Sequence, residues 1–236
     1  LAGTVPPAVD VELAGTVSPP FVAARIREAI ERGLQRAPGT GLDVHGITIP
    51  APLVPGDVLD ALAGVTIDGR GTYVDVSSKT NVHVHVEAEP PLEPAVLWYS
   101  DDPEYLGAQT GGVLFHGTLD PATPARLFAY HVAGGAPRRL ALVLRAANGA
   151  RVQLLGTVGG PSPAFSYVGQ QSSARYLAER ARGESTVLDV PAGAPDELPL
   201  GVLQPGDLLE TIADLRVVDG GPLDVALVAT APGEAL

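Results

Sequence analysis

The chain has 236 residues, 45% hydrophobic and 18% charged, so it can bury a real core and is not a disordered polyelectrolyte. Its formal charge is −12 with a pI of about 4.7, a field that repels phosphate backbones and anionic headgroups and argues against nucleic-acid and membrane-surface binding. Cysteine is absent, which excludes thiol chemistry, and no apolar run approaches the ~20 residues of a membrane-spanning helix.

Twenty-eight glycines and 23 prolines suit short strands joined by tight turns. Aromatics make up only 5%, so the core must be built from Val, Leu, Ile and Ala. Methionine is absent and the chain starts at Leu1, which leads to the expectation of a cleaved precursor. Removal of a signal peptide would place it outside the cell or on the cell surface, and the composition suits a GC-rich bacterial genome.

In the first twenty residues, Leu1-Ala2-Gly3-Thr4-Val5-Pro6-Pro7 nearly recurs as Leu13-Ala14-Gly15-Thr16-Val17-Ser18-Pro19-Pro20. Between the copies, Val9, Val11 and Leu13 alternate with Asp10 and Glu12 as on a strand. Two readings stand open: the first strand of a domain, or an extended arm that pairs through Val9, Val11 and Leu13 with a neighbouring subunit's sheet edge. The second implies a homo-oligomer or polymer.

An amphipathic helix is expected over Phe21–Arg36, because Val22, Ile26, Ile30 and Leu34 recur every four residues and Pro38-Gly39 closes it. Strands follow at Gly41–Ile49, Val65–Asp68, Thr72–Ser77 and Asn81–Ala88, with a short helical turn at Val58–Ala63. Tyr73–Ser77 and Asn81–Glu87 read as a hairpin about Ser78-Lys79-Thr80 with Val74, Val76, Val82, Val84 and Val86 on its apolar face. Glu89 to Pro94 carries three prolines and reads as a stiff linker.

Beyond it, Ala95–Ser100, Gly112–Thr118, Arg126–Ala133, Arg138–Ala147, Arg151–Val158, Ser185–Val190, Thr211–Asp219 and Leu223–Thr230 are strand-like. A short helix is expected at Ser172–Arg182, with serines at its start and Gly183 at its end. The fold class is mainly β, an antiparallel β-sandwich or jelly roll with these two helices. The division expected is an arm (1–20), a helix-plus-hairpin region (21–89) and a sandwich domain (95–236). Pro55-Gly56-Asp57 also matches Pro205-Gly206-Asp207, each leading into a strand, which reads either as a duplicated β unit or as a common turn.

The most chemical-looking stretch is His83-Val84-His85-Val86-Glu87. On a strand, alternate residues share a face, so His83, His85 and Glu87 would point together and Asp75 from the partner strand could join them around a divalent metal. His83, His85 and Glu89 also match the H-x-H-x₃-E part of the cupin metal motif, without its flanking glycines. The competing reading is a polar solvent face on a hairpin with a valine core. No cofactor other than that metal is implied. His131 reads as a packed histidine. Asp101-Asp102-Pro103-Glu104 reads as turn chemistry or as oxygens for Ca²⁺. Trp98 and Tyr99 are adjacent on a strand, so one faces inward and the other outward, which keeps a surface glycan among the candidate partners.

Gly112-Val113-Leu114-Phe115, Ala125-Arg126-Leu127-Phe128-Ala129-Tyr130-His131 and Arg139-Leu140-Ala141-Leu142-Val143-Leu144 lie in a segment from about Pro94 to Pro232. With Tyr167-Val168, Tyr176-Leu177 and Pro205-Gly206, that segment resembles exported bacterial β-sandwich domains that often accompany stalk domains of the copper-amine-oxidase-N type. The resemblance implies export and a sandwich, and it carries no catalytic set. The function expected is therefore a non-catalytic structural or interaction protein able to self-assemble. The alternatives are a glycan- or protein-binding module and a cupin-like metal enzyme.

Overall fold

The protein, seen in a computed structural model that describes residues 1–107 and 111–234, is mainly β with two helices among the described residues. Its contacts divide it into two compact units. The first comprises Leu1–Pro90 together with Arg182–Thr186, and the second Pro91–Ala181 and the chain from Val187 onward.

The first unit contains β1 (Gly3–Thr4), β2 (Ala8–Ala14), α1 (Pro19–Gly33), β3 (Gln35–Arg36), β4 (Gly41–His45), β5 (Val58–Asp68) and β6 (Val76–Glu87). Its main strands run in the order β4-β5-β6-β2, with β2 parallel to β6 and the other pairs antiparallel. Pro19 and Pro20 open α1, where a missing N–H costs nothing, and Phe21, Val22, Ile26 and Ile30 are buried. They meet Val9, Val11, Leu13, Val65, Val82, Val84 and Val86 in one core. The helix stops at Gly33, short of the expected Arg36, because Gln35 and Arg36 pair as β3 with Thr4 and Gly3 of β1.

Three expectations are corrected here. Residues 1–20 do not stand out as an arm: β2 lies against β6 of the same chain, and Val9, Val11 and Leu13 are core residues. Val58–Ala63 is strand, the first half of β5, and not a helical turn. The hairpin about Ser78-Lys79-Thr80 is absent, since β6 runs unbroken from Val76 to Glu87 and pairs with β5. Thr80 is buried within that strand, and Val74, placed on the apolar face by the hairpin reading, is 68% exposed.

The second unit is a two-layer sandwich. Its strands are β7 (Val96–Ser100), β8 (Tyr105–Leu106), β9 (Gly112–Leu119), β10 (Ala125–Ala133), β11 (Arg138–Ala146), β12 (Ala150–Ser162), β13 (Ser185–Val190), β14 (Pro195–Leu203), β15 (Leu208–Gly220) and β16 (Leu223–Thr230). One layer runs β13-β12-β15-β10-β7 and the other β14-β11-β16-β9. Leu127, Val152 and Leu215 from the first layer pack with Leu119, Leu144 and Val225 from the second. β15 pairs antiparallel with β10 and β12, β11 with β14 and β16, and β16 with β9, while β7 and β8 lie parallel to β10. β14 has no counterpart among the expected strands, because Pro195 and Pro199 speak against a strand. It lies at the edge of its sheet, where a missing N–H is tolerated.

The second helix, α2 (Phe165–Arg182), begins seven residues before the expected Ser172. Ser172 is no cap. It sits inside the helix, where its hydroxyl donates to the Gly169 carbonyl at 3.2 Å and to the Glu210 carboxylate.

The Pro-Gly-Asp match is real at the level of the turn. Asp57 Oδ2 accepts from Val54 N and Asp207 Oδ2 from Gln204 N, both at 2.9 Å. Gly56 N donates to the Val86 carbonyl and Gly206 N to that of Ala133, both at 2.7 Å. Both glycines have a positive φ (95° and 90°), which a side chain would strain. The strand topology differs, however. β5 pairs with β6, which follows it, whereas β15 pairs with β10, which precedes it by most of the unit. The repeat is a shared turn and not a duplicated β unit.

Candidate functional site

In the first unit, alternation along β6 sends Val82, Val84 and Val86 inward and His83 and His85 to solvent. The register sets His83 opposite Asp10 on β2 and Asp60 on β5, and His85 opposite Glu12 and Val58. His83 Nδ1 lies 2.7 Å from Asp60 Oδ1, and His85 Nδ1 lies 3.8 Å from Glu87 Oε1. Asp75 is elsewhere. With β6 a single strand, it precedes His83 by eight positions, about 26 Å at about 3.3 Å per residue. Its carboxylate accepts from Gly69 N at 2.8 Å in the turn before β6. The structure therefore does not bring Asp75 to His83, His85 and Glu87. Among the described residues it gathers no group of three or more His, Asp or Glu placed to hold a metal ion. Asp10 and Asp60, which do flank His83, could not be found without the strand order.

In the second unit the same alternation builds a different surface. Along β10, Leu127, Ala129 and His131 point into the sandwich, so Arg126, Phe128 and Tyr130 point out of it. The register with β7 and β15 then makes outward rows: Leu97–Arg126–Asp214, and Tyr99–Phe128–Ile212, with Tyr130 opposite Glu210. Trp98 faces inward and meets Phe115 of β9 at 5.4 Å between centroids. Tyr99 faces outward, stacked on Phe128 at 5.4 Å with an interplanar angle of 4°. On this face Leu97 is 65% exposed, Tyr99 55% and Tyr105 57%.

Between β7 and β8 the chain leaves β10 as the bulge Asp101-Asp102-Pro103-Glu104 and then returns, with Tyr105 opposite Val132. Two bonds hold the bulge from beneath: Val132 N donates to the Glu104 carbonyl at 2.8 Å, and His131 Nδ1 lies 3.0 Å from the Pro103 carbonyl. A carbonyl only accepts, so Nδ1 carries the proton and Nε2 accepts the Ser100 hydroxyl at 3.0 Å. Burial pushes the His131 pKa down, against the bond to Pro103. A serine donating to an oriented histidine is the geometry of nucleophilic catalysis. Here Ser100 is 4% exposed and His131 1%, so no acyl group can reach them. They secure the bulge.

The β12–β15 part of the same face is covered by α2 through polar groups. Arg126 grips Asp214 with Nε at 2.7 Å and a terminal nitrogen at 3.0 Å, and that nitrogen also donates to the Tyr176 hydroxyl. The Tyr176 hydroxyl donates in turn to Asp214 Oδ2 at 2.7 Å, while the Arg126 guanidinium lies over the Tyr176 ring at 4.9 Å. Asp214 is wholly buried. Burial first, and the bond to Asp214 second, push the Tyr176 pKa up to about 12, and the same carboxylate raises that of Arg126. One turn away, Glu210 accepts from Ser172, and Thr157 Oγ1 donates to the Ser172 carbonyl at 3.2 Å. Sequence reasoning missed this network. Its one signal was a pair of acidic residues, Glu210 and Asp214, four apart and therefore on one face of a mostly apolar strand.

No protein-family model matches the chain, and no curated protein matches it in sequence. Among solved structures, tripeptidyl peptidase 2 superposes with a TM-score of 0.30 at 14% identity, covering 80% of this chain and 16% of that one.

Proposed function

We propose that the protein is a non-catalytic binding module whose working surface is the outward face of β7 and β10. The observation that carries this reading is the Tyr99–Phe128 stack, formed between opposite residues of adjacent strands, with Tyr99 more than half exposed. Rigid aromatic area offered to solvent on a sheet is what a partner protein or a sugar ring can use at little entropic cost. The Leu97 and Tyr105 side chains extend the apolar surface on either side.

The glycan-binding reading left open which of Trp98 and Tyr99 faces outward; Trp98 packs against the sandwich core, so Tyr99 is the ring that serves. Self-assembly through Val9, Val11 and Leu13 has lost its support, because those side chains are buried in their own unit. The test is saturable binding on glycan and peptide arrays by the wild type and by Tyr99→Ala. Binding that survives the substitution unchanged would overturn the assignment of this face.

A further inference from the structure

We infer that the occupant of this face is an extended, lysine- or arginine-bearing segment of a partner polypeptide, laid along β7 with a cationic head among Tyr99, Tyr105 and Tyr130. The inference rests on the binding-module reading above and gives its partner a chemistry.

Three features point the same way. First, the rings sit among carboxylates. Asp101 and Glu104 flank Tyr99 and Tyr105 in the chain, and Glu210 lies opposite Tyr130 across the β10–β15 pair. The field of Asp101, Glu104 and Glu210 reaches Tyr99, and that of Glu104 and Glu210 reaches Tyr130, each adding to burial in raising the phenol's pKa. Aromatic faces backed by carboxylates attract a cation twice, through the ring quadrupole and through charge. A neutral ligand gains only the stacking, and an anionic one is repelled by the same carboxylates.

Second, the local positive charge is already engaged. Arg126, the basic side chain on these rows, has both ends of its fork on Asp214 and Tyr176. The net charge of −12 adds long-range attraction for a basic partner.

Third, β7 ends its sheet. It pairs with β10 on one side, and no strand lies on the other among the described residues. A row of main-chain donors and acceptors at an edge fits an extended peptide, which a sugar does not match. The strand offers five residues before the acidic bulge interrupts it, so a short segment would run along Val96–Ser100 toward Asp101 and Glu104.

Isothermal titration with three probes tests this: an octapeptide alternating Lys and Val, its Glu-for-Lys counterpart, and chitohexaose as a neutral glycan. The expected result is saturable binding of the lysine peptide alone. It should weaken roughly 3- to 30-fold in Tyr99→Ala and by a similar factor in the Asp101→Asn/Glu104→Gln double variant. It should be unchanged in His83→Ala on the other unit, and circular dichroism would check that each variant is folded. Lysine-peptide binding indifferent to Tyr99→Ala would be bulk attraction to an acidic protein and would overturn the inference. Chitohexaose binding that needs Tyr99 but not the two carboxylates would keep the binding face and overturn its cationic partner. Absence of any Tyr99-dependent binding would overturn both.

Discussion

His131 Nδ1 and the Pro103 carbonyl oxygen, 28 residues apart in the chain, lie 3.0 Å from each other, and the ring's other nitrogen accepts from Ser100. The acidic bulge thus hangs from a buried side chain of β10 whose burial favours the neutral ring. Unfolding exposes that ring, which then takes a proton below its ordinary pKa of about 6.5. Because burial depresses the folded value, the associated stability is complete above about pH 6.5 and declines as pH falls through the lowered folded pKa. Thermal melts between pH 8 and pH 5 should show this acidic decline in the wild type and a shallower one in His131→Gln. Identical slopes would mean that His131 does not set it.

At the alkaline end the same reasoning applies with opposite sign. The Tyr176 pKa is raised from 10.0 to about 12, so its contribution is whole below about pH 10 and is lost as pH rises toward 12. Tyr176→Phe should destabilise by ~1–3 kcal/mol at neutral pH, because Asp214 loses a buried donor. It should also remove part of the decline between pH 10 and pH 12, read by urea titration at each pH.

Asp214→Ala should be more damaging than Tyr176→Phe. It leaves Arg126 without the carboxylate that both ends of its fork address, and a broken buried pair of this kind costs roughly 3–5 kcal/mol. A double-mutant cycle with Arg126→Ala should show strong coupling between the two positions, and additive effects would contradict the network.

Gly159 lies on β12 where α2 crosses, and a Cβ there would meet the Val168 carbonyl oxygen at 2.3 Å. Gly159→Ala should therefore lift α2 off the sheet, at a cost of about 1–3 kcal/mol. Hydrogen exchange should show α2 amides losing protection while β9 and β16 keep theirs.

Leu13 is fully buried beside Ile26 and Val84 in the first unit's core, so Leu13→Ala should cost ~2–5 kcal/mol. Deleting residues 1–20 should unfold the first unit. A truncated protein that keeps its first-unit amides protected would restore the free-arm reading.

Much of the sandwich was legible because strand alternation is local. Ser185–Val190 and Leu223–Thr230 were placed to the residue, and Trp98 and Tyr99 were set on opposite faces from adjacency alone. The errors arose where a local cue met a long-range partner. Ser78-Lys79-Thr80 looks like a turn, yet β5 offers it a complete ladder, and pairing outweighs propensity. Pro195 and Pro199 look like breakers until β14 is known to be an edge. The candidate site suffered most, since its members come from β7, the bulge, β10 and β15. Only the register between strands distant in sequence reveals that Tyr130 faces Glu210 and Arg126 faces Asp214.

The first unit closes on a segment from far along the chain. Glu184, fully buried, takes the Ser18 amide at 2.6 Å just where α1 begins, and a Cβ on Gly15 would strike the Gly183 carbonyl. A ribosome must therefore deliver more than 180 residues before the start of α1 meets its acceptor. The proline-rich stretch near Pro90 is consequently a poor place to divide the gene. A fragment ending there should emerge aggregation-prone, and a fragment beginning there would leave Glu184 with Arg182 on one oxygen and no Ser18 amide on the other.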